Sequence, residues 1–324
     1  MSAQTTPLVQ SVSEALTPVQ RGCILAAVFL GWMFAGVEMS LMIPVTRPAI
    51  QSFLEIQAAS GSTFAARQIE IKADQWLSWF IAAFLLGAAA GGLLFGWVGD
   101  RWGRVKAMAA SIACYSVITG LGYFAKTPEQ LLVLRFFACL GIGGMWPTGV
   151  ALVTEALPGI SRPVTAGLIG AAANVGFLLL GLLMLWFPIT RDSWRWVLLL
   201  GATPLALALL VAWGLPESPQ WIETTRDHSA KLRPAPVGQV FRPPLLRLTL
   251  LGILLGTVPL LGGWASGQRL VPWAGQVAER AGLSDLKAIT QTVWACGAVL
   301  GSLAGGWVAS RIGRRLSYFL MSFG

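Results

Sequence analysis

The chain has 324 residues, of which 55% are hydrophobic and only 11% charged, and its formal net charge is +9. A soluble chain of this make-up would lack the polar surface to cover itself, so the composition indicates an all-α, polytopic membrane protein. The positive charge does not indicate a nucleic-acid partner: there is no basic block with interleaved stacking aromatics, and Lys and Arg gather in short loops between apolar runs.

Residues 1–22 are polar, lack the apolar stretch of a cleaved signal, and read as a cytoplasmic tail. Apolar runs near 23–45, 76–98, 107–124, 131–153, 164–188, 195–215, 245–265 and 288–309 follow. Each is close to the roughly 20 residues that a bilayer core demands, which gives eight transmembrane helices. Residues 316–324 start a ninth, too short to cross at about 1.5 Å per residue, so the chain reads as C-terminally incomplete. The expected division is the tail, a six-helix bundle over 23–215, a cytoplasmic linker over 216–244 and a partial second bundle over 245–324. With the N-terminus cytoplasmic, the inner side collects thirteen Lys and Arg, from Arg21 to Arg315, and the outer side nine. That excess orients the protein N-in, in a cell (inner or plasma) membrane.

The connection Gly96-Trp97-Val98-Gly99-Asp100-Arg101-Trp102-Gly103-Arg104 packs charges and glycines between spans 2 and 3. Backbone polar groups cannot be left unsatisfied in hydrocarbon, so this turn must lie at a membrane face. Shifting the chain by 210 residues lays 85–105 on 295–315 with ten identities in 21 positions, including Gly96/Gly306, Trp97/Trp307, Arg101/Arg311, Gly103/Gly313 and Arg104/Arg314. Ser310 replaces Asp100 in the second copy. Spans 2 and 8 are therefore equivalent members of two halves, the plan of a transporter that rocks one half against the other. Asp100, Arg101 and Arg104 fall at one face with Glu155, at the end of span 4, and Glu217, at the end of span 6. Such complementary charges can latch the inner rim; the competing reading is that they only fix topology.

These motifs resemble the major facilitator superfamily. Arg135, Gly141, Gly143 and Gly144, continuing to Glu155 and Pro158, and then Pro216-Glu217-Ser218-Pro219-Gln220-Trp221, are similar to its sugar-porter-like, metabolite–H+ symporter branch. The resemblance implies the superfamily's helical bundle. Because proton-coupled members carry an acid in span 1 and an arginine in span 4, it also implies Glu38 as proton carrier and Arg135 as its tuning partner. A charge at that depth is costly unless paired or wetted, and a static pair binding spans 1 and 4 is the plainer reading.

The glycines Gly87, Gly91, Gly92 and Gly96, and Gly141, Gly144 and Gly149, have the small-residue spacing that lets helices approach closely. Trp76, Trp186, Trp194 and Trp196 fit interfacial anchors. Trp32, Trp146, Asn174, Trp264 and Gln268 are candidates for the substrate cavity, and Trp273 and Trp294 are further tryptophans that fit a cavity wall. Few amides remain for a polyol, so a flat or carboxylated metabolite suits the chain better than a sugar. Cys23, Cys114, Cys139 and Cys296 lack metal-ligand spacing, and His228 stands in a loop beside Asp227. No phosphate loop, zinc helix motif or nucleophile elbow occurs, so neither an enzyme nor a bound metal or cofactor is expected. The expected function is secondary active transport of a small organic solute, a sugar-like or carboxylated metabolite, by alternating access, coupled to H+, by a monomer whose only other partner is the lipid bilayer. The alternative is a non-transporting membrane sensor or an inactive transporter fragment.

Overall fold

The computed structural model describes residues 16–58, 66–157, 162–226, 237–259, 265–283 and 285–323. Trp264, Pro158, Asp227 and His228 lie outside that set, as do the side chains of Gln268 and Arg314. Among the described residues every regular element is helical: α1 (Pro18–Ala58), α2 (Ala66–Trp102), α3 (Arg104–Leu121) with a 3-10 turn (Gly122–Phe124), α4 (Pro128–Ala156) and α5 (Arg162–Trp186). Then come α6 (Trp196–Ala202), α7 (Leu205–Gly214), α8 (Pro219–Arg226), a second 3-10 turn (Val237–Phe241), α9 (Leu246–Pro259), α10 (Ala265–Ala281), α11 (Leu286–Ile312) and α12 (Arg314–Phe323).

Hydropathy locates these helices but not all of their ends. Helix α1 runs 41 residues, about 60 Å, well past the expected end at residue 45, and α2 starts ten residues before its apolar run. Packing explains the extension: Ile50, Phe53 and Leu54 are buried with Phe80, Leu131, Trp194 and Leu198 in one outer cluster. Arg47 pairs with Glu70 at 3.3 Å between the two extended ends. Trp194, expected as an interfacial anchor, is fully buried there and meets Phe53 edge-on at 5.5 Å. The sixth span is divided at Thr203 and Pro204 into α6 and α7, because proline removes a helix donor.

The seventh span, expected over 245–265, is described as far as Pro259, and residues 260–264 lie outside the described set. Seven described helices are long and apolar enough to cross a membrane, and Leu246–Val258 is a shorter apolar helix. A further 17-residue helix, α10, occupies a stretch expected to be an outer loop.

Two pairs of parallel helices pack by the same device. A Cβ on Gly91 in α2 would collide with the Leu140 carbonyl of α4, and one on Gly143 would collide with the Ala88 carbonyl. Likewise a Cβ on Gly36 in α1 would strike the Ala173 carbonyl of α5, and one on Gly176 the Met33 carbonyl. In each pair the glycine of one helix meets the carbonyl three residues before the glycine of the other. Backbones this close gain dispersion and Cα–H···O contacts that lipid cannot match. Helix α4 starts cleanly because Thr127 accepts from the Gln130 N–H and Pro128 takes the first position.

Helix α11 lies along α5. Its successive turns face the first bundle: Lys287 donates to the Pro44 carbonyl at 2.7 Å, Gln291 to the Phe177 carbonyl at 3.2 Å, and Ser302 accepts from Asn174 at 2.9 Å. The Pro44 carbonyl is open to such a donor because Pro48, four residues on, has no N–H to offer it.

Candidate functional site

The structure brings Glu38 and Arg135 together. Arg135 Nη1 stands 3.4 Å from Glu38 Oε2, and Nη2 donates to the Glu38 backbone carbonyl at 2.8 Å. Both residues are buried, Glu38 completely. Two neighbours escape a reading of the sequence. Thr119 of α3 donates to Glu38 Oε2 at 2.8 Å. Gly201 of α6 lies against the other oxygen, so that a Cβ there would stand 2.5 Å from Oε1. Glu38 Oε1 and Arg135 Nε, both buried, have no hydrogen-bond partner. Four helices thus enclose one carboxylate that is bonded on one oxygen and open on the other. A cavity of about 10 Å³ beside Thr119 and Arg135 is at the lower limit of what one water needs.

The charged rim is built at the α2–α3 turn. Arg104 contacts Asp100 Oδ1 at 2.5 Å and Glu155 Oε1 at 3.2 Å, and Ser218 Oγ donates to Glu155 Oε2. Trp221 Nε1 donates to the Asp100 carbonyl at 3.0 Å. Glu217 Oε1 accepts from the Val105 and Ser218 N–H groups, both at 2.9 Å, so it caps the N-terminus of α3. Gly103, at φ +116°, leaves the space that the Glu217 carboxylate fills; a Cβ would collide with Oε2. Arg101 lies outside this cluster, stacked on Trp97 at 5.6 Å, and the face of Gly96 is open.

The second copy keeps the backbone and loses the acid. Gly313 also has positive φ, +86°, with open space beside it, and Arg311 stacks on Trp307 at 5.1 Å as Arg101 does on Trp97. Ser310, in the place of Asp100, donates to the Trp307 carbonyl of its own helix.

Of the cavity candidates, Trp32 and Trp146 face each other with ring centroids 5.1 Å apart, and Trp146 is exposed. The half-buried Asn174 amide bonds to Ser302 and to the Ala298 carbonyl, so it joins α5 to α11. A cavity of about 540 Å³, not anticipated from the sequence, opens between α1, α2, α10 and α11. Arg47, Glu70, Asp74, Arg191 and Lys287 line it.

The family model of the Major Facilitator Superfamily matches residues 28–324. The inner membrane metabolite transport protein YgcS of Escherichia coli K12 is 35% identical over 139 residues, 43% of this chain and 31% of that protein. The cis,cis-muconate transport protein of Acinetobacter baylyi is 28% identical over 252 residues, covering 74% and 58% respectively. The chain therefore spans less than two thirds of the length of either. The crystal structure of the D-xylose-proton symporter shares the fold, with a TM-score of 0.60 at 17% identity over 89% of this chain and 67% of that one.

Proposed function

The chain, a multi-pass membrane protein, belongs to the Major Facilitator Superfamily, and on that premise we propose that it moves a small carboxylated organic solute across the inner membrane by alternating access, together with a proton carried by Glu38. The observation that carries this reading is the enclosed carboxylate: Arg135 and Thr119 hold one oxygen, and Oε1 is left for a proton. A buried carboxylate beside a guanidinium answers to small changes in its wetting, so opening and closing of the bundle would load and unload it.

The solute class draws on two supports. The sequence offers few amides for a polyol, and relatives carry the names of metabolite and muconate transporters. The halves meet through Lys287 with the Pro44 carbonyl near the outer face and Asn174 with Ser302 deeper along α11. These are contacts that rocking would break on one side at a time.

In this reading the Asp100–Arg104–Glu155–Ser218 cluster ties α2, α3, α4 and the segment before α8 into one rigid inner rim, oriented with the N-terminus inside. Arg104→Glu would place like charges between Asp100 and Glu155. Uptake is expected to fall about tenfold or more while the protein still inserts and purifies as a single species; each 1.4 kcal/mol lost at the rim is a factor of ten in the closed population. Full activity in Arg104→Glu would remove the rim from the mechanism. The direct test of function is uptake of cis,cis-muconate into proteoliposomes of the chain. Accumulation above equilibrium under an inward proton gradient supports the proposal, and a chain that inserts, folds and carries no solute from a panel of small acids returns it to a non-transporting role.

A further inference from the structure

Four helices meet at a point one residue from Glu38. Met39 of α1 packs on a cluster formed by Ile43, Phe177 of α5, Val271 of α10 and Ala295 of α11, with Trp294 against it. Phe177 and Trp294 stand edge to face with centroids 5.3 Å apart. On its far side the indole lies against bare backbone: a Cβ at Gly267 would stand 2.6 Å from Trp294 Cζ2. Into this apolar junction the sequence places a primary amide. Gln291 is 1% exposed; its Nε2 donates to the Phe177 carbonyl, and its Oε1 has no partner.

A purely structural residue at this point would be apolar. A buried amide with an open acceptor costs stability and returns only one bond, to a carbonyl that already belongs to a helix. The same group has a use if a second molecule brings a donor. Within this mostly aliphatic cluster Phe177 and Trp294 supply two aromatic rings, which favour a flat partner over a puckered one. The cluster is built from α1 and α5 on one side and α10 and α11 on the other, so it opens and closes with the halves.

We propose that Gln291, Phe177 and Trp294 form one wall of the solute site, taking a planar molecule that carries a hydroxyl or N–H donor for Gln291 Oε1. This deepens the transport reading above and rests on it. It also accounts for coupling: Met39 touches the solute wall while its neighbour Glu38 holds the proton, so a shift of α1 on solute binding reaches both.

The test compares uptake of benzoate and 4-hydroxybenzoate, which differ by one donor, in proteoliposomes of the full chain. The wild type is expected to favour 4-hydroxybenzoate about tenfold at limiting concentration. Gln291→Met, which keeps the volume and removes the acceptor, is expected to lower 4-hydroxybenzoate uptake about tenfold relative to benzoate and so bring the ratio near one. An unchanged ratio in Gln291→Met overturns the assignment, as does equal loss of both probes by a folded variant. No preference in the wild type, or uptake of neither probe, overturns it too. The transport reading is judged separately, by the dependence on Glu38 of whichever acid does accumulate. Should Gln291→Met fail to fold, Trp294→Phe serves. It keeps a ring in place and is expected to abolish the quenching of tryptophan fluorescence by 4-hydroxybenzoate, and a quench of unaltered size would place the solute elsewhere.

Discussion

Glu38→Gln is expected to abolish proton-driven accumulation while leaving exchange of solute across the membrane largely intact. Glutamine has nearly the same volume, and its carbonyl oxygen can still accept from Thr119, as Glu38 Oε2 does at 2.8 Å. The bond from Arg135 Nη2 to the backbone carbonyl of residue 38, 2.8 Å, is untouched. What is lost is a group that can take and release a proton. With one proton per solute, a gradient of one pH unit supports about tenfold accumulation. That factor should fall to one in the variant, while counterflow of labelled solute against unlabelled continues. Removing one partner of a buried ion pair also has a structural cost, about 3 kcal/mol or more, so the melting temperature of the purified protein belongs beside the flux. Accumulation at the wild-type level would remove Glu38 from the coupling step.

Gly91→Ile is expected to prevent assembly of the bundle. The added Cβ would enter the carbonyl of Leu140, a backbone atom that cannot rotate aside, so α2 and α4 would have to separate along their contact. Overpacking of this kind costs about 3 kcal/mol, and here it also opens the Gly143–Ala88 contact on the other side of the crossing. The measurement is the yield of monodisperse protein in detergent and its melting temperature. Gly96→Ala, five residues further along α2 and on a different face, supplies the contrast: nothing lies near its Cβ, and alanine is the better helix former by about 1 kcal/mol. If Gly91→Ile matched Gly96→Ala in yield and melting temperature, the close approach of α2 and α4 would not be what holds the bundle together.

The parts of the molecule legible in the sequence are those where lipid leaves few alternatives. A charge in a long apolar run must find a partner, and Glu38 and Arg135 found each other. A charged turn repeated 210 residues later adopts the same geometry twice, with a positive-φ glycine and an arginine stacked on the tryptophan four residues back. The glycine spacing in spans 2 and 4 pointed to close packing, though Gly143, which makes the reciprocal contact, was not among the residues it singled out.

What escaped was set by tertiary contacts. Thr119 and Gly201 complete the Glu38 site from α3 and α6, and nothing in an apolar run tells which threonine or glycine will face a given acid. The charge of Glu217 suggests a place at the rim but not its bond to the Val105 N–H at the start of α3, which the positive end of the helix favours. The outer lengths of α1 and α2 are invisible to hydropathy, since these helices continue into polar sequence and are held by Phe53, Phe80 and Trp194 packing on one another.

The central claim is that solute and proton cross together because Glu38 is loaded within this bundle. It is tested most directly by recording external pH while cis,cis-muconate is added to lightly buffered proteoliposomes of the chain. The account predicts that solute entry draws protons inward and raises the external pH in the wild type, and that Glu38→Gln admits solute by exchange without that rise. Solute entry in the wild type with no accompanying proton movement, or an undiminished pH rise in Glu38→Gln, would contradict it.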